Sequence, residues 1–470
     1  MPTSSQPHAS DTSRGSSARW LILAAIGTGT LMTALDGSIV NTLLPILRQQ
    51  FNVGVATIEW VVTAYLLAAS SLLLSFGRLG DLYGHKRTYL LGFVIFVLSS
   101  MTCGLAHSAT ALILSRSVQA IGAAMLAANS PAILTKNFPP QQRGQALGLQ
   151  STMTYLGLVL GPSFGGWLAT HLSWRAVFYI NVPIGTLALL LSARFIPEDR
   201  NHAPQTAFDW RGAVLFALGL FALMLGLNRG HTWGWGSLST LATLILGLLG
   251  LSAFVWAELH TPAPLLDLRL FRDLTFGGAT LSAVLNYVCL YSIVFLMPFY
   301  LIEGRGWNAA QAGAMLMAQP LLMAFLAPLS GTLSDRVGTR WPSVLGMALL
   351  TVGLFGYAQL PADASRWRII LNLALSGSGI GIFISPNTSA LMGAAPRERQ
   401  GTAGGVMSTA RNLGMTLGIG IAGALLNTAL ARQGEAGNLF TAIHFAFSRL
   451  TGIGLLATFI TIGRSRLERE

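Results

Sequence analysis

The sequence predicts an all-α membrane protein of fourteen transmembrane helices, arranged as two related six-helix halves with two helices inserted between them. Three observations predict it. Apolar residues make up 52% of the 470 and charged residues only 10%, against about 25% charged in ordinary soluble domains, and mean hydropathy is +0.59. The apolar runs have lengths suited to a hydrocarbon layer, which takes about 20 helical residues to cross. Short motifs of the first half return in the second at a nearly constant offset. The runs are continuously apolar, whereas the strands of a membrane barrel would alternate.

The chain opens with a Ser-rich polar stretch, 1–18, that reads as a disordered cytoplasmic tail. Span one, 19–44, is too long for a signal-peptide core and carries Asp36, so it is expected to stay in the mature chain. Spans 56–76, 88–106, 109–133, 145–170 and 176–196 follow between charged or Pro/Gly breaks and complete an amino-terminal bundle over 19–196. Two further spans, 212–228 and 238–257, lie in an inserted segment, 197–274, with flanking loops. The carboxy-terminal bundle, 275–463, holds spans 275–302, 309–332, 342–360, 369–391, 400–428 and 440–463, and a cytoplasmic tail, 464–470, carries Arg464, Arg466 and Arg469. Stretches such as Leu90–Ala106, Val214–Leu227 and Leu238–Trp256 contain almost no charge.

A net charge of +12 could suggest nucleic acid, but Lys86 and Lys136 are the only lysines and no basic run exists. The charge follows the loops instead. With the amino terminus inside, 19 Lys/Arg fall on the cytoplasmic side and 7 outside, with Arg116, Arg411 and Arg449 inside spans. That bias is the positive-inside pattern; it predicts a multi-pass protein of the plasma (inner) membrane with both termini cytoplasmic. Cys103 and Cys289 sit in apolar runs, so neither a disulfide framework nor a metal site is indicated.

The repeat supports the same layout. Gly77-Arg-Leu-Gly-Asp81-Leu-Tyr-Gly84 recurs as Gly331-Thr-Leu-Ser-Asp335-Arg336-Val-Gly338, Ser130-Pro131 as Ser385-Pro386, and Gly157, Gly161 and Gly166 as Gly414, Gly418 and Gly423. Duplicated halves are the architecture of many secondary transporters, with the substrate site near the midplane between them.

Five segments in order resemble motifs of the major facilitator superfamily, and within it the fourteen-helix drug:proton antiporter family of multidrug efflux transporters. They are Leu35-Asp36 through Asn41 with Leu44-Pro45 in span one, and Gly77 through Asp81 and Gly84 to Arg87 in the loop after span two. Next come Arg116-Ser-Val-Gln119-Ala-Ile-Gly122 in span four, with Ala120 where glycine is usual, and Gly157-Leu-Val-Leu-Gly161-Pro162-Ser-Phe-Gly165-Gly166 in span five, similar to the motif associated with antiporters. Trp174-Arg175 through Asn181, Pro183 and Gly185 is similar to the start of helix six in the fourteen-helix branch. Leu82 departs from the loop motif, where a basic residue is usual. The resemblance implies the major facilitator fold, proton-coupled export by alternating access, and a cytoplasmic gating loop of Gly77, Asp81, Gly84 and Arg87 that latches the outward-open state, with Asp335 and Arg336 as its degraded counterpart.

Among the acidic residues only Asp36 and, marginally, Glu59 lie inside a span. An intramembrane acid should face the bundle interior or a water-filled cavity. One that binds and releases a proton is what a proton-coupled carrier needs; the alternative is a structural carboxylate bonded to a neighbouring helix. Asp36 and Arg116 fall at similar depth, roughly 12 and 10 Å from the outer surface at 1.5 Å per residue, so an ion pair is permitted. Glu59 is a secondary proton candidate or an interfacial residue. Asn41, Gln119, Asn286, Gln319, Asn387 and Asn412 could line a substrate cavity, Tyr65, Tyr155 and Tyr291 could add aromatic contact, and Arg411 could bind an anionic group or satisfy carbonyls. Gly157, Gly161 and Gly165 share one helical face and allow close helix approach, while Pro162 removes a backbone donor and invites a kink.

The function expected is export of small hydrophobic or amphipathic compounds, drugs and antibiotics among them, in exchange for protons. No Gly-x-x-x-x-Gly-Lys-Ser/Thr pattern occurs, so the energy is expected to come from an ion gradient, which the resemblance implies is a proton gradient, and no cofactor is expected. The partners are a small-molecule substrate, protons and lipid, with no nucleic acid, and a monomer is compatible with this. A dedicated single-metabolite exporter, an inward proton symporter of the same fold and a non-transporting membrane sensor are the alternatives. The short loops leave no room for a soluble catalytic domain, so an enzyme is not expected.

Overall fold

The computed structural model describes residues 9–53, 55–199, 207–262, 264–307, 309–433 and 438–466. Among them no strand occurs, and fourteen long helices carry the fold. The first six are α1 (Ala9–Phe51), α2 (Trp60–Tyr83), α3 (His85–Gly104), α4 (Ala109–Asn137), α5 (Arg143–His171) and α6 (Ala176–Phe195), the last interrupted at Ile180. The inserted pair is α7 (Trp210–Trp233) and α8 (Leu238–His260). The second six are α9 (Leu274–Gly304), α10 (Ala309–Leu316 continuing as Ala318–Val337), α11 (Arg340–Ala358), α12 (Arg366–Ala394), α13 (Gln400–Gln433) and α14 (Leu439–Arg466).

Local sequence accounts for the helix ends. Ser108, Asp209, Ser237, Asp273 and Ser365 each accept a hydrogen bond from a backbone amide of the first turn of α4, α7, α8, α9 and α12, which satisfies donors that the helix itself leaves unpaired. Pro298 lies where α9 relaxes into a π turn over Phe299–Gly304, since proline cannot supply the next ladder donor. The start of α1 corrects one expectation. Helix extends back to Ala9, into the stretch expected to be disordered, because adding turns to a helix already nucleated by an apolar span is inexpensive; residues 1–8 of that stretch lie outside the described residues.

Thirteen of the helices are long and apolar enough to cross a membrane by length and composition. The fourteenth, α5, has 29 residues and packs along α1 on one side and α10 on the other. Its glycines, serines and threonines suit helix contact rather than lipid.

The packing follows the repeat. Three cores draw only on the first six helices and their loops, while the largest draws on the second six together with Tyr155 of α5. The halves meet along two seams, α2 against α13 and α5 against α10. The inserted α7 lies over the α2/α13 seam and α8 packs chiefly on α7. A fifth core there joins Leu74 of α2, Phe216 and Leu220 of α7, Leu266 of the following linker, and Ala403 and Met407 of α13.

Candidate functional site

The first buried polar centre lies inside the amino-terminal half. Asp36 of α1 is 0% exposed and Arg116 of α4 is 1% exposed, with Arg116 Nη1 2.6 Å from Asp36 Oδ2. The other oxygen, Oδ1, accepts from Asn181 Nδ2 of α6 at 2.7 Å and from Gln119 Nε2 at 3.2 Å. Arg116 also donates to Gln119 Oε1 at 2.6 Å, and Gln119 donates to Ser100 Oγ of α3 at 2.6 Å. The guanidinium lies 4.0 Å from the centroid of the Tyr65 ring on α2, a cation–π contact that water does not screen at this depth. Five helices therefore enclose one carboxylate and satisfy both of its oxygens, as a charge removed from water requires.

The glycines of α5 hold α1 in place at that level. A Cβ at Gly157 would lie 2.8 Å from that of Ala34, one at Gly161 would collide with Ser38, and one at Gly165 would lie 2.6 Å from Ile39. Ser38 Oγ donates to the Gly157 carbonyl at 3.1 Å. Gly166 points elsewhere, and a Cβ there would meet nothing within 4 Å. The side chains of Asn41 and Pro162 lie outside the described residues.

The second arrangement closes the seam at the end of the bundle that carries Gly84. Asp81, at the end of α2, accepts from the Gly401 and Thr402 amides at 2.7 and 2.8 Å and from Thr402 Oγ1 at 2.7 Å. Asp335, at the end of α10, accepts from the Gly144 and Gln145 amides at 2.8 and 2.9 Å. Each half thus places a carboxylate on the first turn of a helix belonging to the other, α13 in one case and α5 in the other, where unpaired amides and the helix dipole favour negative charge. Gly77 faces Gly401, and Gly331 faces Gly144, so closely that a side chain at any of the four would strike backbone. Gly84 adopts φ +100°, which glycine tolerates and which turns the chain directly from α2 into α3. Arg87 and Arg336, expected in the gating loop, are exposed and outside these contacts. His85 stands there instead: its Nε2 is 3.6 Å from Asp81 and its Nδ1 2.8 Å from Asn129 Oδ1.

The expected cavity residues do not form one lining. Gln119 belongs to the Asp36 centre. Asn286, Gln319 and Asn387 are buried inside the carboxy-terminal half, where Asn387 donates to the Ala279 carbonyl at 3.0 Å and Gln319 to Ser376 Oγ at 3.2 Å. Asn286 Nδ2 lies 3.8 Å from Met347 Sδ. They tie α9, α10, α11 and α12 together, as buried amides in a helical bundle do. Asn412 alone crosses between halves, donating to Ser70 Oγ of α2 at 2.8 Å. Glu59, at the start of α2, pairs with Arg229 of the inserted α7 at 3.2 Å and is 42% exposed. Ser100, Asn181, His85 and Thr402 were not assigned these roles from sequence; neutral polar residues scattered over separate helices carry no spacing signal that joins them, although Asn181 lies within a recognised motif.

Two pseudo-repeated helical bundles meeting along paired seams define a polytopic membrane transporter. The chain belongs to the major facilitator superfamily, whose sequence profile matches residues 26–419. The riboflavin transporter RibZ of Clostridioides difficile is 35% identical over 404 residues, covering 85% of this chain and 86% of the relative. The multidrug resistance protein Stp of Mycobacterium tuberculosis is 34% identical over 407 residues, covering 86% and 75%. Among solved structures, the human organic anion transporter MFSD10 shares the fold at a TM-score of 0.72 with 16% identity, over 94% of this chain and 99% of that one.

Proposed function

We propose that the chain exports small hydrophobic or amphipathic compounds in exchange for protons, from the plasma membrane as a monomer, with the Gly84 end and both termini facing the cytoplasm. The boundaries of the working parts are 19–196, 197–274 and 275–463. The observation that carries the reading is the enclosed Asp36–Arg116 pair beside the glycine face of α5. A carboxylate held by a cation and two amides, away from bulk water, becomes reachable from either side of the membrane only when the surrounding helices shift. The helix that packs directly on α1 at that level also reaches across to the other half along α10, so tilting of the halves is felt at Asp36.

The seal at the Gly84 end fits the same cycle. The bonds made by Asp81 and Asp335 must break when that end opens, and each end of the substrate pathway is then exposed in turn. The relatives named for multidrug resistance support export of varied compounds, and the one named for riboflavin supports the second reading, a carrier dedicated to one metabolite. The test is uptake into everted vesicles driven by an imposed pH gradient, using a panel of drugs and riboflavin. Asp36→Asn is expected to reduce gradient-driven uptake to the level of vesicles lacking the protein while leaving its amount in the membrane unchanged. Undiminished uptake by that variant would defeat the proton-coupling role.

A further inference from the structure

We propose that Arg411 and the tyrosines around it bind the anionic group and the ring system of an aromatic organic anion, at a site shared by the two halves. The inference rests on the transport reading above and names the substrate class of that transporter. Arg411 lies mid-way along α13, one helical turn beyond Ser408 and beside Asn412, both of which bond across to the amino-terminal half beyond the Asp81 cap. It therefore sits just past the seal, on the side of α13 that faces the seam. It keeps partial exposure, and among the described residues no carboxylate lies within ion-pair distance of it.

The acids that could have neutralised it are committed elsewhere. Asp36 is held by Arg116, Gln119 and Asn181; Glu59 is paired with Arg229; Asp81 and Asp335 cap helices at the closed end. A cation at this depth without a counter-charge is costly, and an anionic substrate supplies the missing charge.

What surrounds Arg411 is aromatic and hydroxyl-bearing. Tyr65 of α2, Tyr155 of α5, and Tyr287 and Tyr291 of α9 all lie within electrostatic reach of its guanidinium. Tyr287 and Tyr291 are one turn apart on α9, and the face of α13 they meet is built from glycine: a Cβ at Gly414 would lie 2.7 Å from Tyr287 Cβ, and one at Gly418 would lie 3.2 Å from Tyr291 Cβ. Tyr155 and Tyr287 join the same buried cluster, with Tyr291 packed against it. Both halves thus contribute, α2 and α5 from one and α9 and α13 from the other. Tyrosine hydroxyls donate hydrogen bonds to an oxyanion, and their ring faces stack on a planar substrate. A cationic substrate would find the Arg411 charge in its path and no carboxylate at hand to outweigh it.

The test is binding of three naphthalene probes to the purified full-length protein in phosphatidylcholine nanodiscs, where no anionic lipid head can occupy the site. The probes are 2-naphthoate, the neutral 2-naphthamide and the cationic 2-naphthylmethylammonium. Naphthoate is expected to bind about ten- to a hundredfold tighter than naphthamide, the range of one charge-assisted contact. Arg411→Gln should bring naphthoate binding down to the level of naphthamide and so erase that preference, with a cooperative melt reporting that the variant is folded; Arg411→Lys should keep part of the preference. Tyr291→Leu should weaken all three probes alike. Arg411-dependent naphthoate binding without pH-driven movement of the probe would count against export and support the site. Tighter binding of the cation than of naphthoate, or an anion preference unchanged in Arg411→Gln, would overturn the site even if pH-driven export of other compounds were observed. Adding phosphatidylglycerol to the nanodiscs separates the two sources of an anion: naphthoate displaced by that lipid through Arg411 would mark the residue as a lipid-head site and overturn the substrate assignment.

Discussion

The two halves share a scaffold and differ in what they bury. The offset that carries Gly77 to Gly331 also carries Asp36 to Leu290. In the first half that position holds a carboxylate bonded to side chains of α4 and α6; in the second, the leucine is buried in an apolar core. Yet the packing devices are common to both. Ser38 of α1 donates to a carbonyl of the α5 glycine face, and Ser292 of α9 donates to the Gly418 carbonyl of α13 at 3.0 Å. Desolvation of both charges offsets much of the attraction in a buried ion pair, so stability alone is a weak reason to keep one. The difference teaches that helix contact is duplicated while the buried ion pair belongs to one half.

The largest effect expected from breaking that asymmetry is at Arg116. Arg116→Gln leaves Asp36 buried without its cation, and losing one partner of such a pair costs about 3–5 kcal/mol. Thermal unfolding in detergent should fall accordingly, and the double variant Asp36→Asn/Arg116→Gln should recover much of the loss. If the single variant is as stable as the wild type, the carboxylate is not held by that charge. The counterpart change in the other half, Leu290→Asn, introduces an amide into an apolar core and should cost about 1–3 kcal/mol. A greater loss from Leu290→Asn than from Arg116→Gln would reverse the comparison.

The fold was legible because a bilayer imposes a strong rule, continuous apolar runs of a set length, and the repeat marks the halves independently. Asp36 and Arg116 were legible for the same reason: a charge inside a span is conspicuous against an apolar background. Their neighbours were not. Asn181 and Ser100 are ordinary polar residues, and which of them meets Asp36 depends on helix rotation, which apolar runs do not encode when the hydrophobic surface extends round most of the helix. The amides expected to line a cavity show the same limit, since Asn286, Gln319 and Asn387 turn inward within one half rather than toward the seam. Asp81 was legible from its motif, whereas Arg87, drawn in by the same motif, is exposed.

The two caps at the closed end offer a finer comparison. Asp81 accepts three bonds and is buried, while Asp335 accepts two and is half-buried. Removing the charge with Asp81→Asn should weaken closure by about 1 kcal/mol, the worth of a carboxylate at a helix amino terminus. A cysteine placed at Ala128, which faces Gly404 across the seam, should then react about fivefold faster with a polar thiol reagent. Asp335→Asn should raise the rate less. Equal rates for the two variants would make the caps equivalent and remove this distinction between halves.

Glu59 gives the smallest effect and the sharpest check on where coupling resides. Away from the closed end it is the other acid near a span in the amino-terminal half, but it is 42% exposed and its partner, Arg229, belongs to the inserted helix α7. Solvent screens the Glu59 side of the pair, whereas Arg229 is only 6% exposed, so its worth lies between the about 0–1 kcal/mol of an exposed pair and that of a buried one. In Glu59→Gln, Arg229 keeps its contact with the Trp60 ring, 4.8 Å from the centroid, and the glutamine carbonyl can still accept from it. The melting temperature in detergent should fall less than in Arg116→Gln, and pH-driven uptake should stay near wild type. If Glu59→Gln instead abolishes uptake as Asp36→Asn is expected to, proton handling extends from the enclosed centre to the contact with the inserted helices. The relevant contrast would then lie between the inserted pair and the two bundles, since α7 would be carrying the counter-ion of a coupling acid and not merely covering the α2/α13 seam.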